Sequence, residues 1–416
     1  MTELRAASAV GASRQRGEET RERVLVAASR LFATQGFDAT SVEAVADAAG
    51  ITVPGMYRHY PTKHELLLAV ARRATATSAA RRALAEGTPL ATGLAELFGE
   101  YLADGQIERR RLSIEISRAA FGDEELHRAL VADNERLRAA LTQTILSGEA
   151  GVDEAEAAML SHLFLVLLMG AIHLDTLDVE RIGDRSLVEH LRGRFARILA
   201  DRGGPYETDG RRLPETIVEP APEPEPADGR RARTVRTRRR ILGAAHDLFA
   251  RHGYDGTTIE AIAERAEITV PGLYRHVASK EQLLVEVAER AFSRYRLTRP
   301  LDGARSATTQ LAELLAAFSL SRDEVERRIA IELDFGAWRS EALAEALHAF
   351  HRRMRANVAA ALAAGDDGPN EDPELRALVF LMLFMGVAHL DTVDPSLVDE
   401  PAWVDLLRRR VPQLIG

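Results

Sequence analysis

Ile51–Tyr60 reads Ile-Thr-Val-Pro-Gly-Met-Tyr-Arg-His-Tyr, and Ile268–Val277 repeats it with eight of ten residues identical. Each copy gathers a hydroxyl, a phenol, a guanidinium and an imidazole, and a lysine follows at Lys63 or Lys280. No nucleophile–base pair, metal-ligand cluster or phosphate loop accompanies these groups, so an enzyme is not expected. What they share is the capacity to donate hydrogen bonds to phosphate oxygens and to base edges.

Helical geometry arranges them for that purpose. Thr52 suits an N-cap, and Pro54 suits the first turn, where its missing N–H costs nothing. Met56 and Tyr60 then face the core, as do Leu273 and Val277 in the second copy. Pro54, Gly55 and Arg58 point away, with Tyr57 and His59 on the flanks. Such a smooth outer face can approach base edges closely, which is how a recognition helix enters the major groove.

The surrounding elements position this face. Thr20–Ala69 and Thr237–Glu286 align without a gap, 217 residues apart, with 27 of 50 positions identical. Val24, Leu25, Ala27, Ala28, Leu31 and Phe32 form one helical stripe, with Gly36 as a stop. Val42, Val45, Ala46 and Ala49 form another, opened by a capping box Thr40-x-x-Glu43 and repeated as Thr257-x-x-Glu260. A further box, Thr62-x-x-Glu65, is answered by Ser279-x-x-Gln282. Arg111–Ile116 corresponds to Arg328–Leu333, and Leu163–Asp178 matches Val379–Asp394 at ten of 16 positions. The whole unit is duplicated. Strand alternation is not evident, and the chain reads as all-α.

Asp201–Gly229 carries six prolines and eight acids against three arginines, the composition of an extended tether. The expected organisation is a flexible arm over 1–17, a first head over 18–78 and a helical body over 79–200. The 201–229 linker follows, then a basic arm and second head over 230–296 and a second body over 297–416.

The net charge of −9 argues against a nucleic-acid partner, but Arg230–Arg240 holds seven arginines and no acid. Distribution outweighs the sum. Those arginines are read either as the end of a tether or as a phosphate or minor-groove arm. Among 54 basic residues only Lys63 and Lys280 are lysines, at matched positions. The absence of cysteine excludes disulfides and thiolate metal sites. The apolar run near Leu163–Leu174 reads as too short for a membrane span, and the N-terminus has no secretory core. A cytoplasmic protein is expected.

At this point the residues resemble the TetR/AcrR family of bacterial repressors. The motif Thr-Val-Pro-Gly-x-Tyr-Arg-His, followed by Lys and Leu-Leu, carries the likeness twice. The resemblance implies two tandem units, each a three-helix helix-turn-helix head plus a ligand-sensing and dimerisation body. It implies that Thr52, Val53, Pro54, Gly55 and Arg58 face bases or nearby backbone, and that Thr40, Tyr57, His59 and Lys63 hold phosphates. The same roles fall to Thr269, Val270, Pro271, Gly272 and Arg275, and to Thr257, Tyr274, His276 and Lys280. The implied partners are operator DNA and a small-molecule effector of unknown identity. Bodies rich in Leu, Ala, Phe and Ile permit an apolar one. No cofactor, metal or membrane is implied.

The fused pair is expected to act as a built-in pseudo-dimer on a near-palindromic operator, with further homodimerisation left open. Gly170 and Gly386 would permit close helix approach, and His173 and His389 would sit beside them. The histidines are read as structural, with ligand or pH sensing as the alternative. Glu115 and Glu332 either line a pocket or lie at the surface. Glu267 replaces Gly50 in the turn before the second motif, at a cost of roughly 1 kcal/mol if that turn is left-handed. A second reading is a ligand-binding or scaffolding protein whose heads no longer bind DNA.

Overall fold

A computed structural model describes residues 2–75, 88–103, 106–121, 123–148, 152–173, 185–201, 229–293, 301, 305–319, 324–365, 372–390, 396 and 401–416. These form helices and turns only, so the fold is all-α. The first unit contributes α1 (Thr2–Gln35), α2 (Val42–Ala49), α3 (Val53–Tyr57), α4 (Lys63–Thr75), α5 (Leu90–Leu102), α6 (Ile107–Ala120), α7 (Glu124–Gly148), α8 (Glu154–Ala171) and α9 (Arg185–Ala200). The second repeats the order as α10 (Arg230–His252), α11 (Ile259–Arg265), α12 (Val270–Leu273), α13 (Lys280–Ser293), α14 (Ala307–Ser319), α15 (Glu324–Arg339), α16 (Glu341–Ala364), α17 (Pro373–Val387) and α18 (Pro401–Ile415).

The residues that open each unit are helical. The arm over 1–17 is continuous helix from Thr2 into α1, and the arginines from Arg230 open α10 as helix. The linker from 202 to 228 lies outside the described residues.

In each head the first helix packs on the next helices through the apolar stripe read from the sequence. Val24, Ala28 and Phe32 meet Val45, Ala46, Met56 and Leu66, and all are buried. The head-1 core closes with Leu112, Ile116, Leu126 and Leu130 from α6 and α7. The head-2 core instead runs without a break into the core of the bodies.

The two bodies meet through α8 and α17, α6 and α15, and α9 and α18. Helix α8 is long and apolar enough to cross a membrane by length and composition, contrary to the reading of its apolar run as too short. Here 67% of it is buried inside the protein, against α7 and α17 in particular.

Contacts between the halves are reciprocal. A Cβ placed on Gly170 would lie 1.7 Å from the carbonyl oxygen of Met382, and one on Gly386 would lie 1.9 Å from that of Val166. Met382 and Val166 are themselves matched positions of the repeat. Likewise the Arg111 guanidinium stands 5.7 Å from the centroid of the Trp338 ring, and that of its counterpart Arg328 stands 5.6 Å from Phe121, the counterpart of Trp338. Equivalent positions of the two copies thus exchange equivalent contacts.

The glycines are essential to that crossing, because backbone touches backbone and no flexible side chain can yield. Gly170→Ala is therefore expected to force α8 and α17 apart and to cost about 1–3 kcal/mol, the usual range for overpacking. Urea denaturation followed by far-UV circular dichroism measures it. An unchanged midpoint would show that the helices separate freely.

Candidate nucleic-acid interface

The recognition segments are short helices held by their caps. The Thr52 hydroxyl accepts the Gly55 N–H at 3.2 Å, and Thr269 accepts that of Gly272 at the same distance. Met56 and Leu273 are fully buried, which fixes the roll of each helix. Thr52, Pro54 and Arg58 are exposed, as are Thr269, Pro271 and Arg275. Val53, His59, Val270 and His276 are half-buried. Tyr57 and Tyr274 are 45% and 52% exposed, so a large aromatic ring stands in solvent at the same place on both heads.

Gly55 and Gly272 are buried rather than open to solvent, unlike the outward placement expected for them. Their cover is local. A Cβ on Gly55 would meet the Thr52 hydroxyl at 3.2 Å and the Arg58 guanidinium at 3.8 Å.

Thr40 and Thr257 bond within the turn that precedes α2 and α11. Each is 1% exposed, and its hydroxyl donates to a carbonyl of its own turn, Gly36 at 2.7 Å or Gly253 at 2.8 Å. The caps of α2 and α11 are the next residues, Ser41 and Thr258, which accept from Ala44 and Ala261. The third capping motif forms as read, with Glu65 N–H on Thr62 and Gln282 N–H on Ser279.

Lys63 sits where the head meets the body. Its ammonium donates to the Asp38 carbonyl at 3.3 Å and lies 4.3 Å from the centroid of the Phe37 ring. Lys280 lies 4.2 Å from that of Tyr254, the counterpart of Phe37. A compact ammonium over an aromatic face explains why lysine recurs in a chain otherwise reliant on arginine. Burial lowers both ammonium pKa values, opposed by Asp38 and Glu115 at Lys63 and by Asp255, Glu281 and Glu332 at Lys280.

The residues that hold the heads were ambiguous in the sequence. Glu115 and Glu332 are buried carboxylates that accept the backbone N–H groups of Phe37 at 2.5 Å and Tyr254 at 2.8 Å. Arg118 clamps the first of these joints, donating to Glu115 and to Asp38 at 2.9 Å. Arg339 pairs with Asp255 in the second. The symmetric recurrence of Glu in Ile-Glu-Ile and Ile-Glu-Leu was the one signal available.

The turn before α12 is left-handed at Glu267, with φ of +54° against +65° at Gly50. Both turns make the same bonds, Ile51 N–H to Ala46 and Ile268 N–H to Ala263. Glu267 also faces Arg240 at 3.4 Å, an exposed pair that contributes little.

At the junction of the bodies, His173 and His389 bring their Nε2 atoms to 2.6 Å, so one donates to the other. His173 Nδ1 is paired with Asp334, and all three groups are buried. Burial pushes the His389 pKa well below its ordinary 6.5, and His173 adds to the effect. Asp175 and Asp391 lie outside the described residues.

Two heads that present matched donor sets on capped helices, each seated on a helical body, define a duplicated helix-turn-helix protein. Residues 24–70 and 241–287 each match the family described as bacterial regulatory proteins, tetR family. The chain carries two TetR-family regulatory units in tandem. It is 41% identical over 56 residues to the HTH-type transcriptional activator FasR of Mycolicibacterium smegmatis, covering 14% of this chain and 26% of that one. It is 28% identical over 180 residues to the A-factor receptor protein of Streptomyces griseus, covering 41% and 60%. It is 27% identical over 160 residues to the transcriptional regulator UidR of Escherichia coli, covering 36% and 79%. The chain thus spans about a quarter of FasR and 60% of the A-factor receptor.

Glu267→Gly is expected to stabilise the protein by about 1 kcal/mol, because it removes a side chain from a left-handed backbone. Chemical denaturation reads this directly, and a loss of stability would show that the Arg240 pair outweighs the strain. The pH dependence has a definite sign. His389 stays neutral when folded but takes a proton near pH 6.5 when unfolded, so its contribution is present above that pH and lost below it. His190, pushed down to about 4 by burial and then by Arg194 and Arg376, acts in the same direction. Stability should fall by about 1.4 kcal/mol per pH unit for each such histidine as pH drops below that point. His389→Gln should reduce the slope by about one proton between pH 6 and 5. An unaltered slope would mean that His389 does not titrate between the two states.

Proposed function

We propose that the chain is a sequence-specific DNA-binding transcriptional regulator, a ligand-released repressor whose fused halves act as one pseudo-dimer on a near-palindromic operator. The observation that carries this reading is the matched donor set. Tyr57, Arg58 and His59 recur as Tyr274, Arg275 and His276 on helices with the same cap, the same buried anchor and the same exposed face.

In this reading Thr52, Val53, Pro54, Gly55 and Arg58 approach the base edges, and Tyr57, His59 and Lys63 hold phosphates. Thr269, Val270, Pro271, Gly272 and Arg275, with Tyr274, His276 and Lys280, do the same in the second half. Thr40 and Thr257, the remaining phosphate-holding positions in this reading, also lock the preceding turn. Gly170, His173, Gly386 and His389 supply the close-packed interface that would set the heads one helical turn of DNA apart, roughly 34–36 Å. An effector would release DNA by favouring a body conformation that spoils this spacing. FasR is named an activator, so the direction of regulation is to be tested with the operator in hand.

The net charge of −9 and the exposed Glu267 favour a second reading, in which the chain binds a ligand or a protein but not DNA. Arg240 beside Glu267 weakens that objection locally.

A footprint of the purified chain on DNA upstream of its own gene, with stoichiometry measured on the same complex, separates the readings. One chain protecting two similar half-sites is expected. Two chains on one site would refute the pseudo-dimer, and failure of both this DNA and random-sequence selection would favour the second reading. Lys63→Ala should weaken binding on all sequences and reduce the salt slope by about 0.9. Arg58→Ala should cost about 1–3 kcal/mol and relax sequence preference at its position. An unchanged salt slope for the lysine variant would refute the phosphate assignment.

A further inference from the structure

The second body contains a narrow cavity between α15, α16 and α17, lined by Leu333, Asp334, Phe350, His351, Met354 and Phe384 among others. Its walls are mostly aromatic and aliphatic, and Asp334 interrupts them with a fully buried carboxylate. One carboxylate oxygen is engaged by His173 from the other half. The other, Oδ1, has no hydrogen-bond partner among the described residues. A buried acceptor left in that condition is unfavourable, more so when charged, and a ligand donor would satisfy it.

The first body does not repeat this arrangement. The position matching Asp334 is Ser117, and those matching Phe350 and His351 are Asp133 and Asn134. Asp133 is already paired with Arg136 one turn away. The buried acidic acceptor in an apolar wall therefore belongs to the second half.

Helix α15 also connects this point to both heads. Glu332, two residues before Asp334, accepts the Tyr254 N–H of head 2. Phe335, the next residue, lies under the Arg118 guanidinium, and its ring would meet a Cβ on Gly36 of head 1 at 3.1 Å. The cavity is narrow, so an occupant larger than water must displace the side chains that line it.

We propose that this cavity takes a small apolar molecule bearing an ammonium or hydroxyl donor directed at Asp334, and that this one site addresses both heads through Glu332 and Phe335. The proposal rests on the reading of the chain as an effector-controlled DNA-binding regulator. An ammonium should be preferred, because its charge-assisted hydrogen bond to Oδ1 is stronger than that of a hydroxyl, whereas a carboxylate ligand brings no donor.

Benzylamine, benzyl alcohol and benzoate, matched in their ring and differing in the polar group, test the site on the full chain by calorimetric titration and thermal shift. Benzylamine should bind and raise Tm, benzyl alcohol should bind more weakly, and benzoate should do neither. Asp334→Asn should weaken benzylamine by roughly tenfold or more, as for the loss of a charged hydrogen bond, while sparing benzyl alcohol. Met354→Trp, which narrows the cavity without touching Asp334, should weaken both. A cooperative thermal transition checks that each variant is folded. Benzylamine affinity unchanged in Asp334→Asn, equal binding of benzoate, or no binding by any of the three would overturn the proposal.

Operator binding measured in parallel keeps the two readings apart. DNA binding without benzylamine binding would sink this inference alone. Benzylamine binding without DNA binding would sink the regulator instead. Where both occur, benzylamine should release both half-sites, and release of only one would refute the shared control.

Discussion

The contact on which the other inter-half distances depend is the crossing of α8 and α17 at Gly170 and Gly386. Two helices can bring backbone against backbone only where neither carries a Cβ, and here a single methyl would collide with a carbonyl. That crossing places His173 against His389. It also holds the bodies close enough for α6 to run beside α15. Those two helices carry Glu115 and Glu332, whose carboxylates seize the turns that follow α1 and α10. From the glycines outward each link is a buried, directional contact, so the position of a head is determined by packing and not by the linker.

Near the symmetry axis a residue meets its own copy, and fusion of the two units lets these partners differ. Arg118 and Phe335 occupy the same position of the repeat and face one another as guanidinium and ring, 4.4 Å from guanidinium carbon to ring centroid. A symmetric dimer would have to place two arginines or two phenylalanines there. The histidines remain identical, but the aspartate paired with His173 has no counterpart at the matching position, where Ser117 stands. Buried polar clusters of this kind are weak sources of stability, but they penalise every alternative register in which one member is left without a partner.

The legible parts of the sequence were those governed by local rules. Thr52 and Pro54 give the start of α3 because a cap and a first-turn proline act within four residues, and Glu267 advertised its left-handed turn by replacing a glycine. The cap of α2 was misread by one residue. Thr40 and Ser41 have similar capping ability, and the choice is made by the Gly36 carbonyl, which takes the Thr40 hydroxyl. Glu115 and Glu332 were undecidable because each partner lies 78 residues away. The pairing of His173 with Asp334 spans 161 residues and two bodies, and nothing in either neighbourhood points to the other.

The strained turn and the cores beneath the heads are unequal in a compensating way. Head 2 carries the non-glycine left-handed residue, but its core is continuous with that of the bodies. Head 1 has the relaxed turn, and its core closes on α6 and α7. A strain of about 1 kcal/mol in a small isolated core would be a sizeable fraction of its stability. Spread over a larger cooperative unit, the same strain leaves the folded population almost unchanged, so the exchange of glycine for glutamate is tolerable in the second copy in a way that it would not be in the first.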